Sequence, residues 1–307
     1  MPTARLGITA SPPRLHFGDL TITLLDGGGL SLDGGAMFGI IPKPLWSRLV
    51  TFDDANRIPL ATTCFLVETG GKRVLVETGT GPAVKFDEKE RGFFNVNEHW
   101  ILPSLAAIGL DRDSIDLVIL THLHFDHAGG GTMPDGKGGF SPTFPRAKYV
   151  VQRGEWDDAV SGHAVMTGTY RKENLAPLES AGVLSFVSDG DADILPGLRV
   201  RLLPGHTRHQ QGLLFDGGGR KAFLPADLIP TAAHVGLRYN MAYDLMPYEN
   251  MVNKQRTLEQ AAAEKWTLLL GQDPVETAWT VRDQGKGRFA LEVLGYDHSG
   301  ASLSNSA

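Results

Sequence analysis

Four side chains able to bind a metal lie within six consecutive positions of this chain: His122, His124, Asp126 and His127. The apolar run at residues 117–120 comes directly before them and has the composition of a buried strand. In an extended segment alternate side chains point the same way, so His122 and His124 would face one cavity. Asp126 and His127 can face it from another side, because glycines turn the chain just after them. We therefore expect a fold in which a strand end opens into a polar cavity.

Imidazole and carboxylate groups together favour a borderline cation such as Zn²⁺, with Mn²⁺, Co²⁺ or Fe²⁺ as alternatives. One or two ions are expected. The single cysteine, Cys64, excludes an internal disulfide and a site built from several thiolates. Its apolar surroundings predict a buried strand thiol. A backbone hydrogen bond or a solvated turn would explain a lone histidine, but the density of this cluster predicts a metal site.

Short β-type runs recur along the chain, and most are bounded by Gly, Pro or Asp. They predict strands at residues 20–25, 62–67, 73–77, 116–120, 148–152, 198–203, 211–215, 221–224 and 266–270. Helical patterns are predicted at residues 97–108 and 248–265. The second helix would share an apolar face made of Met251, Val252, Leu258, Ala261 and Ala262. This mixture favours an α/β fold with sheets covered by helices.

The domain organisation is predicted to be simple, since no internal repeat, linker or shift in composition marks a boundary. We expect one domain over residues 1–307, with residues 1–58 an N-terminal extension packed on it. The formal net charge of −6, without a basic cluster, makes nucleic acid an unexpected partner. No run approaches the roughly 20 apolar residues that span a bilayer. The N-terminus does not resemble a signal peptide, so a cytoplasmic location without membrane contact is the expectation.

The H-x-H-x-D-H run resembles the signature of the metallo-β-lactamase superfamily, and two further motifs follow it in the family's order. One is Leu203-Pro204-Gly205-His206-Thr207, and the other is Ala226-Asp227 after a strand. The resemblance covers residues from about 62 to 274 and implies an αββα sandwich of two mixed β-sheets flanked by helices. It implies that the first metal is bound by His122, His124 and His206. It implies that Asp126, His127 and Asp227 bind the second, with Asp227 touching both.

Two positions depart from the family's pattern around the second metal. Gln272, in Gly271-Gln272-Asp273-Pro274, stands where the family has a histidine ligand. An amide oxygen is a weaker donor than imidazole towards a zinc-like ion, so we expect a weak second site. Glu77 stands where the family has an aspartate that supports the ligands, and its extra methylene could re-aim that support. Specialisation and partial decay of the second site both remain open.

Hydrolysis is the chemistry that the resemblance implies, with a metal-activated hydroxide attacking an ester-like centre. Asp126 would orient the nucleophile and accept a proton, and Asp227 would complete the catalytic pair. Four parts of the chain resemble the lactonase and organophosphate-hydrolase branch of the family: residues 35–39, Trp46, residues 227–230 and residues 241–245. The expected substrates are therefore lactones, carboxylic esters or related phosphotriesters. The lactonases of that branch have a tyrosine that assists the substrate carbonyl at the position where this chain has Pro230. In this chain the role is vacant unless Tyr239 or Tyr243 folds back to fill it.

The substrate pocket is predicted to be apolar and suited to an acyl or aryl group. Its candidate walls are Met37, Phe38, Phe93, Phe94, Met166, His234, Tyr239 and Tyr243. The histidines without a motif are expected to be structural or exposed, and these are His16, His99, His163, His209 and His298.

Two other functions stay open. Some members of the family hold a single iron and oxidise persulfides, which agrees with loss of a second-site ligand. A degenerate, non-catalytic ligand-binding protein would also explain Glu77 and Gln272 together. A homodimer is predicted, with the apolar segment at residues 42–46 as a candidate interface arm.

Overall fold

The computed structural model describes residues 7–166 and 168–294, and within them two seven-stranded sheets lie between layers of helices. The strands are β1 (Arg14–Phe17), β2 (Leu20–Asp33), β3 (Arg57–Thr69), β4 (Lys72–Val76), β5 (Leu117–Ile119), β6 (Thr132–Pro134), β7 (Phe140–Pro142), β8 (Lys148–Gln152), β9 (Leu184–Val187), β10 (Ala192–Leu195), β11 (Leu198–Leu202), β12 (Gln211–Gly217), β13 (Arg220–Leu224), β14 (Thr267–Leu269), β15 (Ala278–Asp283) and β16 (Phe289–Val293). The α-helices are α1 (Gly34–Phe38), α2 (Lys43–Trp46), α3 (Glu88–Phe94), α4 (Ile101–Ala107), α5 (Phe125–Ala128), α6 (Arg153–Val160), α7 (Lys172–Ser180) and α8 (Pro247–Ala263).

The first sheet has the strand order β1-β2-β3-β4-β5-β8-β9. Its first four strands are antiparallel neighbours, whereas β4, β5, β8 and β9 run parallel to one another. Parallel neighbours end at the same edge of the sheet, so the residues that follow β5 and β8 meet there. A separate two-stranded sheet pairs β6 with β7.

The second sheet runs from β10 to β16 in sequence order. Its neighbours are antiparallel except β13 and β14, which are parallel and are joined through α8. A parallel pair needs such a crossover connection, and the helix supplies it. Both sheets are therefore mixed.

Apolar side chains fill the space between the sheets, among them Ile22 and Phe65 from the first and Phe215 and Leu224 from the second. Outside the first sheet, α4, α6 and α7 contribute buried apolar residues to another cluster. Helix α8 covers the second sheet, where Leu258 packs with it. These layers confirm the predicted αββα sandwich. Within the described residues, no helix combines the length and apolar composition needed to cross a membrane.

The predicted buried face of α8 is partly wrong. Met251, Val252 and Ala262 are only half-buried, whereas Leu258 and Ala261 are buried as expected. The buried face also contains polar side chains, Asn250, Lys254 and Thr257. Periodicity of apolar residues could not reveal this face, because the side chains of Asn250 and Lys254 are buried on it and donate hydrogen bonds to the preceding loop.

The predicted strands all lie on or overlap observed strands, and the two predicted helices correspond to α4 and α8. Several half-exposed strands were not predicted, including β9, β10, β15 and β16. Their apolar runs are short and are interrupted or flanked by polar residues. Residues 14–33 form two strands of the first sheet, so part of the segment described above as an extension belongs to that sheet. The single-domain organisation stays a prediction.

Candidate metal centre

The candidate ligands follow strand ends at one edge of the sandwich. His122 and His124 come after β5, and α5 carries Asp126 and His127. His206 follows β11, Asp227 lies in a 3₁₀ turn after β13, and Gln272 follows β14. Segments far apart in sequence therefore deliver their side chains to one place. A strand end is a rigid support for such a group.

Two overlapping sets of side chains in this group are close enough to hold a metal ion. His122, His124 and His206 form one set, and His122, His127 and Asp227 form the other, with ligand atoms within 4.8 Å of one another in each. His206 Nε2 lies 3.0 Å from His124 Nδ1. Asp227 belongs to the second set and also borders the first, because its Oδ1 is 3.3 Å from His127 Nε2 and its Oδ2 is 3.5 Å from His206 Nε2.

Gln272 completes the group on the side of Asp126 and His127. Its Nε2 donates to Asp126 Oδ2 at 2.7 Å and lies 3.2 Å from His127 Nε2. The glutamine is buried, with 3% of its surface exposed. The structure therefore brings all seven predicted ligand positions together.

Buried atoms of this group that lack a hydrogen-bond partner show what the site fits. They are His122 Nε2, Asp227 Oδ1 and Gln272 Oε1. Buried polar atoms are almost always partnered, because leaving one unpaired costs free energy. Each can offer a lone pair, and His122 and Asp227 belong to one set of ligand atoms that a single cation could satisfy. The residues present therefore fit a divalent metal.

Part of this group has the charge state that metal binding needs. Burial and the neighbouring imidazoles lower the pKa of both His122 and His124, so each is neutral, the form that binds a metal. Burial alone would raise the pKa of Asp227, but the imidazoles of His127 and His206 bring it below its usual range. Asp227 is therefore an ionised carboxylate between the imidazoles of His127 and His206. Burial alone would lower the pKa of His127 and His206, but the nearby carboxylates, Asp227 above all, raise it, so a binding cation would have to displace a proton from these two imidazoles.

Outer contacts orient the imidazoles. His206 Nδ1 lies 2.9 Å from Asp244 Oδ1, and His122 Nδ1 lies 3.1 Å from Thr121 Oγ1. Glu77 Oε2 lies 3.5 Å from His127 Nδ1, while Glu77 Oε1 accepts a hydrogen bond from the Thr121 amide. Glu77 Oε2 is thus close to the imidazole of His127 but forms no hydrogen bond with it.

Asp244 was not predicted from the sequence. It lies 38 positions after His206, in the stretch at residues 241–245 whose resemblance to the lactonase branch gave this carboxylate no role, and only the fold brings the two together. Its Oδ2 accepts from the Asn250 side chain and the Met241 amide, both at 3.1 Å. Lys254 holds the same loop by donating to Asn240 Oδ1 and to two backbone carbonyls.

A cavity of about 530 Å³ opens onto the group. Four of the predicted wall residues line it: Met37, Phe94, Met166 and Tyr243. The other four lie elsewhere. Phe38 and His234 are fully buried and stacked on each other at 4.5 Å, Tyr239 packs edge-on against Phe38, and Phe93 is 67% exposed. His234 Nε2 also lies 2.9 Å from the carbonyl oxygen of Met37. This contact provides a hydrogen-bond partner for the buried imidazole, which lies behind the cavity wall.

The remaining histidines in the described part of the chain lie outside the group. His16 contacts Thr21 Oγ1, His99 contacts the buried carboxylate of Asp26 at 2.7 Å, and His163 is exposed. His209 lies 3.6 Å from Asp189, and His298 is outside the described residues. Cys64 is buried, as expected for a strand thiol.

Comparison with known proteins decides the family. The model of the metallo-beta-lactamase superfamily matches residues 57–272. The chain belongs to this superfamily. A solved relative, a probable metal-dependent hydrolase from Staphylococcus aureus, is 30% identical with a TM-score of 0.82, over 91% of this chain and 99% of its own. A dizinc quorum-quenching lactonase, 19% identical with a TM-score of 0.75 over 92% of this chain and 97% of its own, shares the superfamily fold.

Among curated proteins, this superfamily member is similar to an N-acyl homoserine lactonase of Bacillus cereus. The two are 29% identical over 175 residues, which is 54% of this chain and 62% of the lactonase. The chain thus spans about six-tenths of the length of the curated lactonases that it matches.

Proposed function

We propose that the protein is a metal-dependent hydrolase that opens lactones or cleaves carboxylic esters, with phosphotriesters as a related class. The observation that carries the proposal is the convergence of His122, His124, His206 and Asp227 at the base of an apolar cavity. The names of the relatives, a probable metal-dependent hydrolase and N-acyl homoserine lactonases, support it.

His122, His124 and His206 would hold the first ion, Zn²⁺ in preference to Mn²⁺, Co²⁺ or Fe²⁺. Asp126, His127 and Asp227 would hold a second, with Gln272 as a weak ligand. A bound divalent ion polarises a carbonyl or phosphoryl oxygen and lowers the pKa of water. Within this chain, Asp126 lines the cavity and is suited to orient the attacking water and take its proton.

The cavity favours an uncharged substrate with an apolar group. Its walls include Leu32, Met37, Phe94 and Met241, and none of the described residues that line it is Lys or Arg. A substrate with several negative charges would find no lysine or arginine among these described residues to pair with. A lactone or ester with an acyl or aryl group would bury its apolar part against these walls.

Tyr243 is proposed to contact the substrate carbonyl. It lines the cavity, and its ring centroid lies 6.3 Å from that of His206. The position that carries a tyrosine in the resembling lactonases is here the buried Pro230. Tyr243 reaches the cavity from a different loop, where its hydroxyl donates to Met37 Sδ at 2.6 Å. On substrate binding this hydroxyl would donate to the developing negative oxygen instead.

A turnover screen with lactones, aryl carboxylic esters and aryl phosphotriesters, run beside elemental analysis of the same protein, tests the proposed function. We expect zinc, manganese or cobalt with lactone or ester turnover, which His124→Ala and Asp227→Ala abolish and His16→Ala retains. Undiminished turnover in the first two variants would place the chemistry elsewhere. Bound ferrous iron with thiol-dependent oxygen uptake would favour persulfide oxidation, and a bound small molecule without any turnover would favour a ligand-binding role.

A homodimer stays a prediction. Trp46 is buried against Phe38 within its own chain, but Ile40, Leu45 and Leu49 expose 82%, 47% and 52% of their surface nearby. These residues provide the apolar surface for the proposed contact. A monomer by light scattering at micromolar protein would refute it.

A further inference from the structure

Glu155 is a fully buried carboxylate near the start of α6 that belongs to none of the metal-binding motifs. Helix α6 follows β8 directly, at the sheet edge where the histidines lie. Gly154 lets this helix approach the loop after His206, because a Cβ at that position would lie 2.4 Å from His209 Nδ1. The carboxylate is therefore held against the segments that carry the candidate ligands.

Both oxygens of Glu155 accept hydrogen bonds from other segments. Oε1 accepts from the Leu123 amide at 3.0 Å and from the Tyr170 hydroxyl at 2.9 Å. Oε2 accepts from Thr207 Oγ1 at 2.6 Å. Hydrogen bonds to a carboxylate are stronger than those between neutral groups, so three of them fix its partners firmly.

Each partner is coupled to a histidine of the first set. Leu123 lies between His122 and His124, and Thr207 directly follows His206. Tyr170 places its ring 4.9 Å from that of His124. One side chain thus joins the His122–His124 segment, the His206 segment and the cavity wall.

We infer that Glu155 is a positioning residue that fixes His122, His124 and His206 relative to one another for metal binding. The inference rests on the metal centre of the proposed function. It assigns the residue no contact with substrate. Outer partners of metal ligands commonly change metal affinity by about 10- to 100-fold, and here a single group would act on all three ligands.

The test measures how much metal the zinc-loaded protein retains against increasing chelator, by elemental analysis. Glu155→Met fills the space but accepts no strong hydrogen bond, and we expect it to lose its tighter-bound metal at a chelator concentration about tenfold or more lower. Glu155→Gln should retain metal like the wild type, since its amide oxygen can accept from Leu123 and Tyr170. Tyr149→Phe serves as a control, because it removes two buried hydrogen bonds away from the ligand segments.

Equal metal retention in Glu155→Met and the wild type would overturn the inference, as would equal losses in Glu155→Met and Tyr149→Phe. A loss in Glu155→Gln as large as that in Glu155→Met would also overturn it, because the hydrogen bonds would then not be the cause. If Glu155→Met does not fold, the double variant Tyr170→Phe, Thr207→Val gives the answer. It should release metal more readily than the wild type, and unchanged retention would contradict the inference. A wild type without lactone or ester turnover would reject the proposed function but leave this metal measurement valid.

Discussion

Gln272 donates from its side-chain Nε2 to Asp126 Oδ2 at 2.7 Å, within the group that would hold a second metal. The amide oxygen of the same side chain is buried without a partner. A neutral amide therefore stands where the resembling family has an imidazole. The fold thus supplies a full set of three histidines for one ion and an altered set for the other.

Replacing Gln272 with histidine should strengthen the second metal site, because imidazole is a better ligand than an amide for a zinc-like ion. We expect the wild-type chain to release one equivalent of zinc at a lower chelator concentration than Gln272→His. Elemental analysis after equilibration with chelator measures this. Two equivalents held with equal affinity in both forms would contradict the weakened site.

Asp244 should control the affinity of the first site through His206. Removing the carboxylate in Asp244→Ala frees the imidazole to rotate and should weaken metal binding by about 10- to 100-fold. Asp244→Asn can still present an oxygen to His206 Nδ1 and should lose less. Chelator competition ranks the zinc affinities of the wild type, Asp244→Asn and Asp244→Ala. An alanine variant that binds zinc as tightly as the wild type would exclude this role for Asp244.

Tyr243→Phe tests the proposed contact with the substrate carbonyl. Loss of a donor to a developing oxyanion should lower kcat by about 100-fold, with little change in KM. Steady-state kinetics with a lactone or aryl ester that the wild type turns over measures the effect. Tyr248→Phe is a suitable control, since that side chain is 69% exposed. An unchanged kcat in Tyr243→Phe would show that the hydroxyl does not assist.

Lys254 should make stability depend on pH. Burial lowers the pKa of Lys254 from 10.5 to about 7, so between these values the unfolded chain binds more protons than the folded one. The free energy of unfolding should therefore rise with pH in this window, by at most about 1.4 kcal/mol per pH unit. Lys254→Met lacks this contribution. Urea denaturation at pH 7, 8 and 9 compares the two proteins, and a constant difference between them would contradict the expectation.

Local patterns predicted sheets covered by helices and a metal site after β5, and the family resemblance implied the αββα sandwich and the further ligand positions. Buried strands such as β5 appear as apolar runs, and the ligands follow them at once. His206 and Asp227 could be placed because each follows a strand in a short motif. In these segments the sequence motif alone is enough to predict where the side chain lies in the fold.

The outer contacts could not be predicted, because no motif or residue spacing links their two partners. Glu155 lies 32 positions from Leu123 and 52 from Thr207, and no residue spacing signals either hydrogen bond. Asp244 is equally remote from His206. A carboxylate on a helix is ordinarily a solvated group, so burial of this kind is visible only in the fold.

The pocket could be predicted only in part, because an aromatic residue does not reveal which way it points. Phe93 and Phe94 are neighbours at the end of α3, yet Phe94 lines the cavity and Phe93 faces solvent. Phe38 and His234 stack on each other in the layer beneath. An aromatic side chain suits both the cavity wall and the buried layer beneath it, so residue type alone could not distinguish the two positions.

Anomalous X-ray scattering from crystals of the purified protein, recorded on both sides of the absorption edge of the metal found by elemental analysis, would locate the bound metal. We expect an anomalous peak within bonding distance of His122, His124 and His206. A metal-loaded protein whose anomalous peak lies away from these three side chains would contradict it.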